Sequence, residues 1–174
     1  MIHYWQYLHE YESLRGEIRA VVDRVFSSGK LILGPEVSAF ERDFALYCGS
    51  AYGVGVNSGT DALFLSLKAL GVGAGDEVIT VSNTAVPTVA AIRAAGALPV
   101  FVDVEPDTFL MDVRLVEPAL SERTRCILPV HLFGQPVDMD PLVEIAAGNG
   151  LPLIEDCAQA AGALYKGRTV GSIG

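Results

Sequence analysis

From Tyr52 onward one pattern recurs: a short apolar run, a turn, a stretch with apolar residues at helical spacing, then Gly or Pro before the next run. The runs lie near Tyr52 to Val56, Glu77 to Val81, Leu98 to Val102, Arg125 to Val130 and Leu151 to Glu155. Helical stretches fall between them, near Asp61 to Leu70, Val86 to Ala95, Val113 to Leu120 and Met139 to Ala147. Strands that alternate with helices are joined by crossovers rather than hairpins, so the sheet they form is mostly parallel. The expectation is a three-layer α/β fold, a mostly parallel sheet with helices on both faces. A hydrophobic share of 51% and a mean hydropathy of +0.38 suit strands buried on both sides.

Two helices are expected before the first strand. Leu14, Ile18, Val21, Val22, Val25 and Phe26 repeat at three-to-four spacing, and Gly29 supplies a stop. Gly34-Pro35 opens the second helix, where the missing N–H of proline costs nothing; Val37, Phe40 and Phe44 form its stripe and Gly49 closes it. Residues 1–49 therefore read as a helical segment and residues 50–174 as the α/β domain. Asp112 and Asp138 each precede a helical stretch and suit N-cap positions. After Gln159 the pattern gives way to Ala163 to Val170, a hairpin turning at Lys166-Gly167.

Composition removes several function classes. The net charge is −9 and the 12 basic residues are dispersed, against nucleic-acid binding, which needs clustered Lys and Arg. No apolar run reaches the roughly 20 residues of a membrane span. Met1 to Gln6 lacks a basic stretch followed by an apolar one, so no secretory leader is read and the cytoplasm is expected. Cys48, Cys126 and Cys157 are odd in number with no CxxC spacing, which argues against disulfides or a zinc site and for small buried hydrophobes.

Two constellations carry chemistry. Leu151-Pro-Leu-Ile-Glu155-Asp156-Cys-Ala-Gln159 places acids where an apolar, central strand ends, and open α/β sheets bind ligands at that end. Neighbours on a strand point to opposite faces, so only one of Glu155 and Asp156 can reach a given ligand. Tyr52 to Leu63 is a strand running into Asn57-Ser58-Gly59-Thr60 and then a helix, a phosphate-binding architecture: free amides at a helix start, close approach at Gly59, and hydroxyls from Ser58 and Thr60. Gly53-x-Gly55 is followed by Gly59 one residue too late for a dinucleotide fingerprint, and no Gly-Lys-Ser/Thr triplet exists for a P-loop. One cofactor has both ends, a phosphate and a ring nitrogen that needs an anion: pyridoxal phosphate (PLP), with Asp156 as the anion.

Gly34-Pro35 with Phe40-Glu41, Asn57 to Leu63, Gly75 to Val78, Phe101 to Val104, Val130 to Gly134, Asp138-Met139 and Ile154 to Gln159, in that order and spacing, resemble the DegT/StrS group of nucleotide-sugar aminotransferases. The resemblance implies the large domain of a type I PLP-dependent transferase, incomplete here and without its small domain. It also implies Gly59 and Thr60, beside Ser58, at the cofactor phosphate, Asp156 at the pyridine nitrogen, Gln159 near the ring, a nucleotide-linked keto-sugar as acceptor, glutamate as amino donor, and a homodimer. Gln159, three residues past Asp156, would share its face if one helical turn follows.

Two departures stand out. Where the family carries an aromatic residue to stack on the pyridine ring, Thr84-Ala85-Val86-Pro87-Thr88 has Ala85, a contact rather than a platform. The Schiff-base lysine of the family follows the segment matched by Gly171 to Gly174, and none of Lys30, Lys68 and Lys166 corresponds to it, so no catalytic residue is assigned. All three are expected at the surface, as are His3 and His9. His131 either borders the site or bonds a neighbouring loop. The rival to a sugar aminotransferase is a non-catalytic relative that binds a sugar nucleotide or a partner subunit. A nicotinamide-cofactor domain is disfavoured by the glycine spacing.

Overall fold

The structure, a computed structural model, describes residues 6–174, and His3 lies outside them. Two compact units divide the chain, one ending at Asp43 and the other running from Phe44 to Gly174.

The first unit holds α1 (Tyr7–Ser28) and most of α2 (Pro35–Cys48). Gly29 ends α1 in the left-handed region at φ 67°, returning its amide to the Phe26 carbonyl. Pro35 is the first residue of α2, as its missing donor allows. No residue of α1 is buried, and Phe26 is 68% exposed.

The second unit is built on a parallel sheet. β1 (Glu77–Val81) is its central strand, buried at every position, with β2 (Leu98–Val102) on one side and β3 (Thr124–Ile127) on the other. Val81 stands opposite Val102 and Ile79 opposite Ile127. Leu151 to Asp156 runs parallel to β3, bridging Ile127 to Leu153 and Val130 to Asp156. That segment is half-buried, and among the described residues its ladder bridges run only to Ile127 of β3 and to Val130 just beyond it, whereas β1 has a strand on each side. Proline explains the broken pairing: Pro129 and Pro152 each lack the N–H that a continuous ladder needs. The core gathers Leu63 and Leu67 of α3 (Gly59–Ala69), Ala91 and Ile92 of α4 (Val86–Ala95), and Met139, Leu142 and Ala146 of α5 (Met139–Asn149) around the sheet.

Three expectations fail locally. Tyr52 to Val56 is not a strand among the described residues; Tyr52 and Val54 are 88% and 80% exposed, and an apolar run without a neighbouring ladder stays irregular. Val113 to Leu120 is two 3₁₀ turns, Val113–Leu115 and Glu117–Ala119, because Pro118 interrupts helical bonding. Asp112 caps the first of these by accepting from the Arg114 amide, but Asp138 makes no cap bond to α5. The Tyr165 hydroxyl takes that role, accepting from the Asp140 amide while donating to Asp138. Tyr165 belongs to the expected hairpin, β4 (Leu164–Tyr165) and β5 (Arg168–Thr169), whose turn residues Lys166 and Gly167 both have positive φ.

Gly96, the left-handed cap of α4 at φ 95°, lies against backbone: a Cβ there would stand 3.2 Å from the Ala74 nitrogen. Gly96→Ala is expected to lower stability by about 1–2 kcal/mol. A urea midpoint equal to that of the parent would refute this. No helix among the described residues is long and apolar enough to cross a membrane.

Candidate cofactor-binding site

The strand order β2-β1-β3 means that the chain leaves β1 toward one edge of the sheet and β3 toward the other. A crevice opens at the carboxyl ends of strands whose connections part in this way. The turn between β1 and α4, the first turn of α4, Pro129 to His131 and Asp156 all lie at that end.

Asp156 is 8% exposed. Its Oδ2 accepts from the Thr88 hydroxyl at 2.9 Å and its Oδ1 from the Ala158 amide at 3.2 Å. Its backbone is tied on both sides, the amide to the Pro129 carbonyl and the carbonyl to the His131 amide. Thr88 is wholly buried and lies 2.8 Å, hydroxyl to hydroxyl, from Thr84. Glu155 serves a different set of partners. Its Oε2 accepts from His131 Nε2 at 3.1 Å and from the Gly171 amide at 2.9 Å, and its Oε1 from the Ile173 and Gly174 amides at 2.8 and 2.7 Å. Burial pushes this carboxyl up, but His131 and the three amides outweigh it and bring it down from 4.5 to about 2.

His131 resolves to the second of its two readings. It is fully buried, its Nδ1 accepts from the Val137 amide at 3.0 Å, and the proton therefore sits on Nε2, facing Glu155. Ligand atoms of His131, Glu155 and Cys157 lie within 4.8 Å of one another, yet the cluster is a hydrogen-bonded knot rather than a cation cage. Both imidazole nitrogens and both Glu155 oxygens are already engaged, and burial, with the charges of Glu155 and Asp156, pushes the Cys157 thiol up to about 12. Burial raises Cys126 likewise to about 12, in keeping with its role as a small core residue.

The other expected site residues are placed as follows. Ser58 caps α3: its hydroxyl accepts from the Asp61 amide at 3.1 Å and donates to the Asp61 carboxylate at 2.9 Å. The amides of Gly59 and Thr60, at the helix start, have no intrahelical acceptor. A Cβ on Gly59 would meet nothing within 4 Å, so this helix start opens onto space, not onto packed protein. Ala85 is exposed at the cap of α4. Cys157 to Ala160 forms a tight turn, not a helix, and Gln159 Oε1 accepts from the Phe133 amide at 3.1 Å. Lys68 donates to the Val72 carbonyl and Lys166 pairs with Asp140, so neither serves Asp156; Lys30 and His9 are exposed. Thr88 and Glu155 are the residues whose importance a sequence reading underrates. A Thr two residues into a helix that follows the central strand was the available signal for Thr88.

The fold of this chain has close counterparts among solved aminotransferases. The chain superposes on Streptomyces venezuelae DesV, solved with a ketimine intermediate, with a TM-score of 0.93 and 51% identity over 94% of this chain and 44% of that one. It superposes on Bacillus subtilis NtdA with bound cofactor PMP at a TM-score of 0.84 and 37% identity, over 86% of this chain and 34% of that one. The class is thus an α/β aminotransferase fold. More narrowly, residues 12–174 match the DegT/DnrJ/EryC1/StrS aminotransferase family, and the chain belongs to that family. A relative in Micromonospora megalomicea subsp. nigra, a dTDP-3-amino-3,4,6-trideoxy-alpha-D-glucose transaminase, is 55% identical over 97% of this chain and 45% of its own length. The chain spans less than half the length of the curated relatives it matches.

Proposed function

We propose that the whole protein transfers an amino group from glutamate to a nucleotide-linked keto-sugar with pyridoxal phosphate as cofactor, and that this chain supplies the cofactor-binding half of the site. The names of the relatives, transaminases of dTDP-linked amino sugars, support that substrate class. The observation that carries the reading is Asp156: a buried carboxylate at the carboxyl edge of a parallel sheet, held at both oxygens in one orientation.

The residues fit the cofactor in their donor chemistry. Asp156 offers its remaining lone pairs to a pyridine N–H and keeps the proton there. The free amides of Gly59 and Thr60, at the positive end of α3, with the Thr60 hydroxyl and the Ser58-capped turn, offer donors to the phosphate. Gln159 and Ala85 border the ring, Gln159 through the Phe133 loop it holds. When bound, the cofactor supplies the electron sink that stabilises a carbanion next to nitrogen. The lysines of the second unit are engaged elsewhere, so this segment by itself binds and does not turn over.

Pyridoxamine phosphate tests the site directly, because its binding needs no lysine. Calorimetric titration of the chain is expected to show one saturable site, weakened at least about tenfold by Asp156→Asn. No saturable binding, or equal binding by the variant, rejects the reading.

A further inference from the structure

We infer that Thr84 and Thr88 form a one-way hydroxyl relay that aims the Asp156 carboxylate, which makes Thr88 a positioning residue for the cofactor site. The inference rests on the reading of Asp156 given above. A threonine hydroxyl has one proton to give. That of Thr88 goes to Asp156 Oδ2 at 2.9 Å, so the 2.8 Å contact between the two threonines is donated by Thr84. The order is Thr84 to Thr88 to carboxylate, and each donor in such a chain is polarised by the one behind it.

Among the described residues two groups hold the Asp156 carboxylate, the Thr88 side chain and the Ala158 amide. Two lone pairs are used in this way, one on each oxygen, and the direction of the remaining ones is set by the partners of the first two. Thr88 can do this because α4 begins directly after the central strand: Ala85 caps it, Pro87 stands in its first turn, and the Thr88 amide returns to the Ala85 carbonyl. The wholly buried Thr88 side chain then meets a residue 68 positions later in sequence.

A purely packing role predicts different outcomes. Valine has nearly the volume of threonine and lacks the hydroxyl, whereas serine keeps the hydroxyl and loses the methyl group. In the chain titrated with pyridoxamine phosphate, Thr88→Val is expected to weaken binding about tenfold and Thr84→Val about threefold, with Thr88→Ser within about twofold of the parent. The bound pyridine nitrogen should also lose its proton about one pH unit earlier in Thr88→Val, read from the absorption of the complex against pH. Unchanged affinity and unchanged titration in Thr88→Val, beside a weakened Asp156→Asn, overturn the relay and leave the site standing. Unchanged binding in Asp156→Asn overturns both. Loss in Thr88→Ser equal to that in Thr88→Val assigns the effect to packing and overturns the relay. Should Thr88→Val unfold at the assay temperature, Thr84→Val decides: weakened binding sustains the relay and parental binding overturns it.

Discussion

Glu155→Ala is expected to destabilise the α/β unit by about 3–5 kcal/mol, the largest effect of any single substitution considered. The side chain is 2% exposed and accepts from His131 Nε2 and from the amides of Gly171, Ile173 and Gly174. Alanine leaves the buried His131 Nε2 without its acceptor and removes the anchor of the 171–174 amides, and a buried donor without an acceptor costs about 1–3 kcal/mol. His131 would also lose the partner that holds its tautomer, while its Nδ1 stays tied to Val137. Glu155→Gln should fall between the two, since it keeps one carbonyl oxygen but turns an amide donor toward other donors. Urea unfolding followed by circular dichroism measures the change. A loss below about 1 kcal/mol in Glu155→Ala would show that the 171–174 segment contributes little to the folded unit.

Acid should undo the same clamp. The Glu155 carboxyl is depressed in the folded state from 4.5 to about 2, so folding favours its ionised form. Stability from this group is therefore fully present above pH 4.5 and is lost progressively as the pH falls from there through about 2, below which both states are protonated. The shift corresponds to about 3 kcal/mol. Asp140, lowered by its hydrogen bond from Lys166, is exposed and adds to the same trend only weakly, and Asp112, lowered by the Arg114 side chain, acts in the same direction. Urea midpoints measured between pH 7 and 2.5 are expected to be level above pH 5 and to drop below it, and the drop should shrink in Glu155→Gln. A profile as steep in that variant as in the parent would assign the acid sensitivity to other groups.

What could be read in the sequence divides along a physical line. β1, α4 and β2 were found at their observed limits, because period and punctuation agree there: a short apolar strand, Pro87 in the first helical turn, Gly96 at the cap. The Lys166-Gly167 turn was equally visible, since few dipeptides tolerate positive φ twice. Tyr52 to Val56 misled because a strand is defined by its neighbour, and apolar content says nothing about whether one is present. Val113 to Leu120 has helical spacing, but Pro118 breaks the bonding that a single helix would need. At the site, alternation along an extended chain correctly put Glu155 and Asp156 on different sets of partners. The identity of those partners was out of reach, because Thr88 meets Asp156 and Gly171 to Gly174 meet Glu155 only after the chain has folded across many residues.

The two single bridges that join Leu151 to Asp156 to β3 and the residues just after it, Ile127 with Leu153 and Val130 with Asp156, carry a further consequence. A shift of one residue along this edge would turn both acids to the opposite faces, Glu155 toward the side of Thr88 and Asp156 toward the side of the glycine-rich segment. Because aspartate is shorter by one methylene, neither would fit the other's place. The amides gathered by Glu155 thus act as a register pin: they reward one alignment, and in doing so decide which carboxylate is presented at the crevice.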